Sequence, residues 1–261
     1  MFVITNHDIM KTVKVCIVTF VAVLSGLTAL AQVMNIEQER IKTDTTGWAG
    51  SAKLSAEYTK NGQDLWTGSA NVHVQFKTKR SLYLSLTEYN LTKGSGSDFV
   101  NAGAQHFRYN YKIKDWFTAE AFTQAQFNKV LKVKIRWLVG AGPRFKVINT
   151  KPFRLYAATL YMYEHEELYD TNIVNRNNRL SNYLSFTLKI KDNLSLLHTS
   201  YYQPKVNQFS DYRILSQSDL KISISKHFSF LFSYLYTYDT FPAIGVPKET
   251  HYFGNSIEVN F

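Results

Sequence analysis

Residues 65–77 read LWTGSANVHVQFK, and their alternation decides the fold. Successive side chains of an extended strand point to opposite faces. Trp66, Gly68, Ala70, Val72, Val74 and Phe76 therefore share one face, and Leu65, Thr67, Ser69, Asn71, His73, Gln75 and Lys77 the other. One side is apolar with an aromatic near each end; the other is largely polar. The same rhythm sets Phe228, Phe230, Phe232, Tyr234, Tyr236 and Tyr238 on a single face. Over 132–147 it opposes Val133, Ile135, Trp137, Val139, Ala141 and Val147 to Lys132, Lys134, Arg136, Arg144 and Lys146.

Carried along the chain, the rhythm predicts twelve strands, at about 48–60, 65–77, 81–91, 101–113, 117–127, 132–147, 153–163, 179–190, 194–203, 212–225, 228–239 and 249–261. Ten or fourteen are the alternative counts. Each is long enough to cross a bilayer when tilted, which takes about 9 to 11 residues. Connections after even-numbered strands are short and often basic, as in Thr78-Lys79-Arg80 and Lys114-Asp115-Trp116. Most of those after odd-numbered strands are longer: 92–100, 164–178, 204–211 and 240–248. Short turns at one end and long loops at the other describe an outer-membrane barrel with both termini in the periplasm.

Composition removes the competing classes. With 18 Phe, 17 Tyr and 4 Trp in 261 residues the chain is too aromatic to be disordered, and a single Cys excludes a disulfide scaffold. Lys11 and Lys14 precede an apolar run from Val15 to Leu30 that closes on Ala29-Leu30-Ala31, the pattern of a secretory signal peptide. Cleavage after Ala31 is expected, with residues 1–9 read as a possible mis-assigned start before Met10. Residues 32–46 then form a short periplasmic segment and 47–261 the barrel. Cleavage also removes Cys16, leaving no thiol for a metal site or nucleophile. The net charge of +10 falls only to +9, since Lys11, Lys14 and Asp8 leave together.

A secreted sandwich or lipocalin-like barrel also alternates polar and apolar residues. Twelve strand faces bearing bulky Phe, Tyr, Trp and Leu would overfill its interior, whereas side chains facing lipid need no such space. Aromatics near strand ends match girdles at two membrane interfaces. The last strand alternates Phe253, Ile257, Val259 and Phe261, and its terminal Phe resembles the signal read by the outer-membrane assembly machinery.

Residues 105–111, QHFRYNY, and 118–145, TAEAFTQAQFNKVLKVKIRWLVGAGPRF, together with GWAGSAKLS at 47–55, resemble the salt-induced outer-membrane protein family (YdiY-like), a family of outer-membrane barrels of unknown function. The sharpest part is the spacing of Arg136, Gly140 and Gly142 after a strand bearing Glu120 and Gln124. The first turn departs from the family in having Asn61-Gly62 in that order. The resemblance implies the barrel fold and an outer-membrane location. The expected partners are outer-membrane lipid and lipopolysaccharide, with the barrel-assembly machinery during biogenesis, and the chain is read as a monomer of a Gram-negative outer membrane.

A closed barrel would turn its polar faces to the lumen. The candidate network is Arg108, Glu120, Gln124, Arg136, Lys53, Glu57, Arg213 and Asp219, since charge in a dry interior needs water or a partner. Arg108, Glu120 and Arg136 lie on neighbouring strands and are expected to form an ionic ladder. Lys132 and Lys134 are assigned to the same lumenal face. Two functional readings stay open: a narrow passive channel with a basic lumen, or a plugged structural or envelope-stress barrel.

No cofactor and no metal site is expected, because His73, His106, His198 and His251 are scattered and no HExxH spacing occurs. Glu164-His165-Glu166-Glu167 is read as an acidic loop tip. Gly140-Ala141-Gly142 lies in a strand pattern, which excludes a nucleotide cradle; these glycines bend a strand or make room for a large neighbour. Nucleic-acid binding is not expected. The chain is read as a non-enzyme, with an outer-membrane hydrolase acting on lipid or peptide as the remote alternative. For that role His198 and Ser200 are the candidates, but they are two apart on one strand, about 7 Å at the backbone, with no evident orienting carboxylate.

Overall fold

The computed structural model describes residue 35 and residues 46–259, apart from 62, 95, 96, 170, 226 and 227. The signal peptide, Gly62 of the first turn, Phe261 and the side chains of Lys53, Ile257 and Val259 lie outside the described residues. Twelve strands follow one another: β1 (Gly47–Asn61), β2 (Gln63–Lys77), β3 (Ser81–Gly94), β4 (Ser97–Lys112), β5 (Phe117–Asn128), β6 (Val133–Asn149), β7 (Phe153–Leu168), β8 (Val174–Lys191), β9 (Leu194–Lys205), β10 (Gln208–Ser223), β11 (Phe228–Asp239) and β12 (Glu249–Val259). They form one antiparallel up-and-down sheet in sequence order. The ladder runs from β1 to β12, and no β12–β1 pairing occurs among the described residues.

The sheet curls into a barrel. Tyr183 on β8 donates to Glu120 Oε2 on β5 at 2.9 Å, and Arg213 on β10 to Glu164 on β7. Each contact skips two intervening strands, which side chains of these lengths reach only across a concave face. Phe122, Leu138, Leu160, Tyr183, Tyr201 and Leu215, from six successive strands, pack into one cluster inside that face.

The two faces divide as residues 65–77 imply. On β2, His73 and Gln75 are buried inward while Trp66 and Val74 are exposed outward. Phe230 is 41% exposed and Arg136 only 2%, so the charged side chain is inside and the aromatic outside. Two aromatic rows edge the outward face. One holds Trp48, Phe76, Tyr83 and Tyr109, with successive ring centroids 4.9, 6.5 and 4.9 Å apart. The other includes Tyr58 tilted against Trp66 at 4.5 Å, and Tyr202, Tyr212 and Tyr238 at 5.5 and 5.9 Å. Trp66 and Phe76 are ten positions apart on β2. At ~3.3 Å per residue and a tilt of about 40°, that separation spans roughly 25 Å, the height of a barrel's apolar band.

Two expectations are corrected. First, the loops expected at 92–100, 164–178 and 204–211 are mostly strand, since β3, β7 and β9 run on to Gly94, Leu168 and Lys205. Only 240–248 remains a long connection. Second, a bulge between Val133 and Ile135 inverts the start of β6. Val133 is 2% exposed and points inward, while Lys134 turns outward to Glu167 at 3.3 Å. An extra residue in one strand shifts the alternation by one, moving every side chain before it to the other face. Lys134 therefore leaves the lumenal set, and Val133 leaves the outward one. Asn35, from the segment read as periplasmic, donates to Gln217 Oε1 at 3.0 Å. Gln217 shares the inward parity of Leu215 and Asp219, which places Asn35 in the interior.

Gly140 and Gly142 face inward at close approaches. A Cβ on Gly140 would meet Phe122 Cε1 at 2.6 Å, and one on Gly142 would strike the Thr159 carbonyl oxygen. Gly140 is the direct cross-strand partner of Phe122, so its missing side chain is the space that the ring fills. Gly140→Val is expected to lower unfolding stability in detergent or lipid by about 1–3 kcal/mol, the usual cost of overpacking. The measurement is the urea midpoint followed by tryptophan fluorescence.

Candidate functional site: a charged barrel interior

Inward positions of β6, β7, β8 and β10 carry the densest chemistry. Glu164 and Glu166 continue the inward parity of Leu160 and Met162 along β7, and they are 0% and 4% exposed. The stretch read as an acidic loop tip is therefore half interior, with only His165 and Glu167 facing out. Arg136 Nε donates to Glu166 Oε2 at 2.5 Å and lies 3.7 Å from Glu164 Oε2. Arg179 Nε donates to Glu164 Oε1 at 3.3 Å and its Nη2 to Asp211 Oδ1 at 2.9 Å. Arg213 joins Glu164 through Nη1 and Asp239 Oδ2 through Nε, the latter at 2.9 Å. Lys205 reaches Asp211 Oδ2 at 2.9 Å, and Asn175 and Asn177 cap the two glutamates. Four cations thus meet four carboxylates.

A second cluster lies on β4 and β5. Arg108 Nη1 donates to Glu120 Oε2 at 3.1 Å, Arg108 Nε to His106 Nε2 at 3.2 Å, and His106 Nδ1 meets Gln124 Oε1 at 2.8 Å. Gln124 passes the chain on to Gln126. The expected ladder of Arg108, Glu120 and Arg136 splits here. Arg108 and Glu120 pair, but Arg136 joins Glu164 and Glu166, and the second cation at Glu120 is Arg144, with Nε 3.6 Å from Oε1. The reason is register: Glu120 lies opposite Gly142, six residues along β6 from Arg136. The apolar cluster of Phe122, Leu138, Leu160, Met162, Tyr201 and Leu215 lies between Glu120 and the β7 glutamates, while on β5 the polar chain continues past it, Gln126 being the cross-strand partner of Arg136.

The remaining predicted residues stand apart from both. Asp219 is 2% exposed and is held by Ser233 and by Gln217 Nε2 at 3.3 Å. Glu57 has the inward parity of β1 and remains exposed. Phe253 of the predicted assembly signal is outward and 76% exposed.

At the end carrying the turns 78–80, 113–116 and 150–152, the interior opens into a cavity of about 380 Å³. Inward Lys112, Arg144, Lys146 and Arg154 line it with Lys79 and Arg80 of the first of these turns. Arg144 is stacked over Tyr156 at 3.9 Å, which fixes its guanidinium at the wall. Asp115 lies beside this mouth, 2.5 Å from Lys112 Nζ. The Lys112 hydrogen bond, with the positive charge behind it, holds the Asp115 carboxyl below its ordinary range. Below the mouth, Arg108, Glu120 and Tyr183 are joined by hydrogen bonds across the interior. Among the described residues no group of three or more His, Cys, Asp or Glu is arranged to hold a metal ion.

Sequence reasoning missed Glu164, Glu166, Arg179 and Asp239. The signal was present: Met162, Glu164, Glu166 and Asn175, Asn177, Arg179 keep period two straight through the charged stretch. Removing one partner of a buried ion pair strands the other's charge, at a cost of about 3–5 kcal/mol. Glu164→Gln is expected to destabilise the barrel by a few kcal/mol on that ground. Adding Arg213→Gln should cost less than the sum of the two single changes, a coupling readable from a double-mutant cycle of urea midpoints.

Among solved structures, the chain is similar to the NanC porin, with 11% identity over 82% of this chain and 99% of that one and a TM-score of 0.48. It is also similar to the translocator domain of the autotransporter NalP from Neisseria meningitidis, with 10% identity over 87% and 93% of the two chains and a TM-score of 0.45. A bacterial polysaccharide outer-membrane secretin matches with 7% identity over 82% and 91% and a TM-score of 0.45. At this distance the likenesses carry no argument about function. No curated protein matches the chain. Over residues 34–261 the sequence matches the family described as protein of unknown function, DUF481, and the chain belongs to that family.

Proposed function

We propose that the chain is an outer-membrane barrel with both termini on the periplasmic side, and that its interior is an ion-paired plug and not an open passive channel. The observation that carries this reading is Arg213. From β10 it reaches Glu164 on β7 while also holding Asp239 on β11, so one guanidinium ties together side chains spread over five strands. The apolar cluster on β5 to β10 supports the same reading, since Leu160, Met162 and Leu215 are each 1% exposed and close that side of the interior to a permeating ion. The basic mouth then admits anions without passing them on. Lipid and lipopolysaccharide surround a monomer, and the barrel-assembly machinery inserts it.

The function that follows is mechanical: a closed, internally cross-braced element of the envelope. Planar-bilayer recording of the purified barrel should show no unitary conductance at any voltage. The double change Glu164→Ala and Arg213→Ala, which removes the bracing side chains, should produce leak currents if the variant still folds, as judged by heat-modifiable migration on a gel. A steady ohmic conductance from the unmodified barrel would overturn the plug and favour the narrow channel with a basic lumen.

A further inference from the structure

The outward face of β9 and β10 departs from the apolar rule. His198 and Ser200 on β9 lie directly opposite Ser218 and Ser216 on β10. All four side chains have outward parity, since Thr199, Tyr201 and Leu215 between them are the buried, inward ones. His198 Nε2 is 2.9 Å from Ser200 Oγ, and His198 Nδ1 is 2.8 Å from Ser218 Oγ. Ser216 Oγ lies 3.0 Å from Ser200 Oγ on its other side. The 7 Å backbone separation that argued against the pair is thus bridged by the imidazole, and a hydroxyl supplies the orienting contact that no carboxylate does.

We propose that Ser200, His198 and Ser218 form an outward-facing nucleophile, base and orienter that cleave carboxylic ester bonds of membrane lipids. The arrangement has the parts required of an activated serine: nucleophile and base in hydrogen-bond reach, and a third group holding the base. With Nδ1–H donating to Ser218, the Nε2 lone pair is aimed at the Ser200 hydroxyl. A neutral third member is sufficient for this tautomer control, as the Cys-His-Asn proteases illustrate.

Location selects the substrate. Ser200 is one outward position from Tyr202, in the tyrosine row Tyr202, Tyr212 and Tyr238. Such rows sit at the membrane interface, which puts the hydroxyl just inside it, where acyl ester groups of lipids meet water. On the other side, Phe186 stacks on His198 at 5.1 Å, and Leu196 pairs with Leu220, giving the acyl chain an apolar wall. A water-soluble substrate has no reason to bind there.

In the reaction, Ser200 Oγ forms a bond to the ester carbonyl carbon as its proton passes to His198 Nε2. Ser216 is the hydroxyl placed to donate to the oxyanion. The tetrahedral adduct then breaks its bond to the lipid alkoxide, which takes the proton from His198 and departs as the lysolipid alcohol. Water, deprotonated by His198, attacks the acyl-serine. His198 returns that proton to Ser200, and a fatty acid leaves. One ester and one water become one alcohol and one acid, with no other reactant.

The test uses the full chain folded in phospholipid vesicles, with fatty-acid release and labelling by a long-chain alkyl fluorophosphonate as readouts. Folded wild-type protein should release fatty acid and take up one label on Ser200. Ser200→Ala should abolish both, and His198→Asn should reduce both on the order of 100-fold, the scale of a lost general base. Ser218→Ala should weaken hydrolysis, and Ser218→Asn, whose amide oxygen can accept Nδ1–H, should restore it. A merely structural hydroxyl would not show that rescue. Release that is absent from folded wild-type protein, or equal in Ser200→Ala, overturns the proposal, as does labelling confined to another residue. Conductance is unaffected by either result, so the plug stands or falls separately.

Discussion

The constraint on which this molecule depends is that hydrocarbon cannot solvate an ion. A strand with one face in lipid must send every charged side chain to the other, and there each must find a partner or water. Arg136, Arg179, Lys205 and Arg213 against Glu164, Glu166, Asp211 and Asp239 is the result. These pairs link β6, β7, β8, β9, β10 and β11 through side chains alone, independently of the backbone ladder. Isolated, each buried ion would be costly; as a network, each desolvated charge is offset by an opposite one within hydrogen-bond distance.

That network also explains the barrel's length. The hairpin of β7 and β8 runs to Leu168 and back from Val174 because its inward residues continue to be useful past the apolar band. Outward at the same height stand His165 and Glu167, with Lys134 bonded to Glu167, a set suited to water and headgroups and not to lipid tails. The hairpin therefore projects beyond the membrane while its inner face stays part of the barrel interior.

The fold was legible wherever the two faces differ strongly. β2 and β11 keep their aromatic residues on one face, with Leu65, Leu231 and Leu235 as the apolar exceptions on the other, and the outward aromatics match the sequence reading. The β7–β8 tip was not, because Glu164 to Glu167 is polar on both faces and charge alone reads as loop. The start of β6 failed for another reason: a bulge leaves no composition signal, yet reverses Val133 and Lys134. The site was legible residue by residue and not pair by pair. Arg108 and Glu120 are found together, but Arg136 has a different partner, because strand stagger sets which inward residues meet and single-strand periodicity carries no information on stagger.

The outward hydroxyls of β9 and β10 are informative for the same physical reason that the inward charges are. If the only demand on that surface were to face lipid, Val or Leu at 198, 200, 216 and 218 would serve better than His and three Ser. Their polar atoms are largely satisfied by one another, which lowers the cost of placing them there but does not supply a reason for it. Packing gives none, since the inward neighbours Thr199, Tyr201 and Leu215 already fill the interior. An inward polar network braces the barrel because it crosses between distant strands; this outward one joins only two strands that the ladder already holds together. What distinguishes it is chemistry: an imidazole between two hydroxyls, one step from a tyrosine row, at the depth where lipid esters lie.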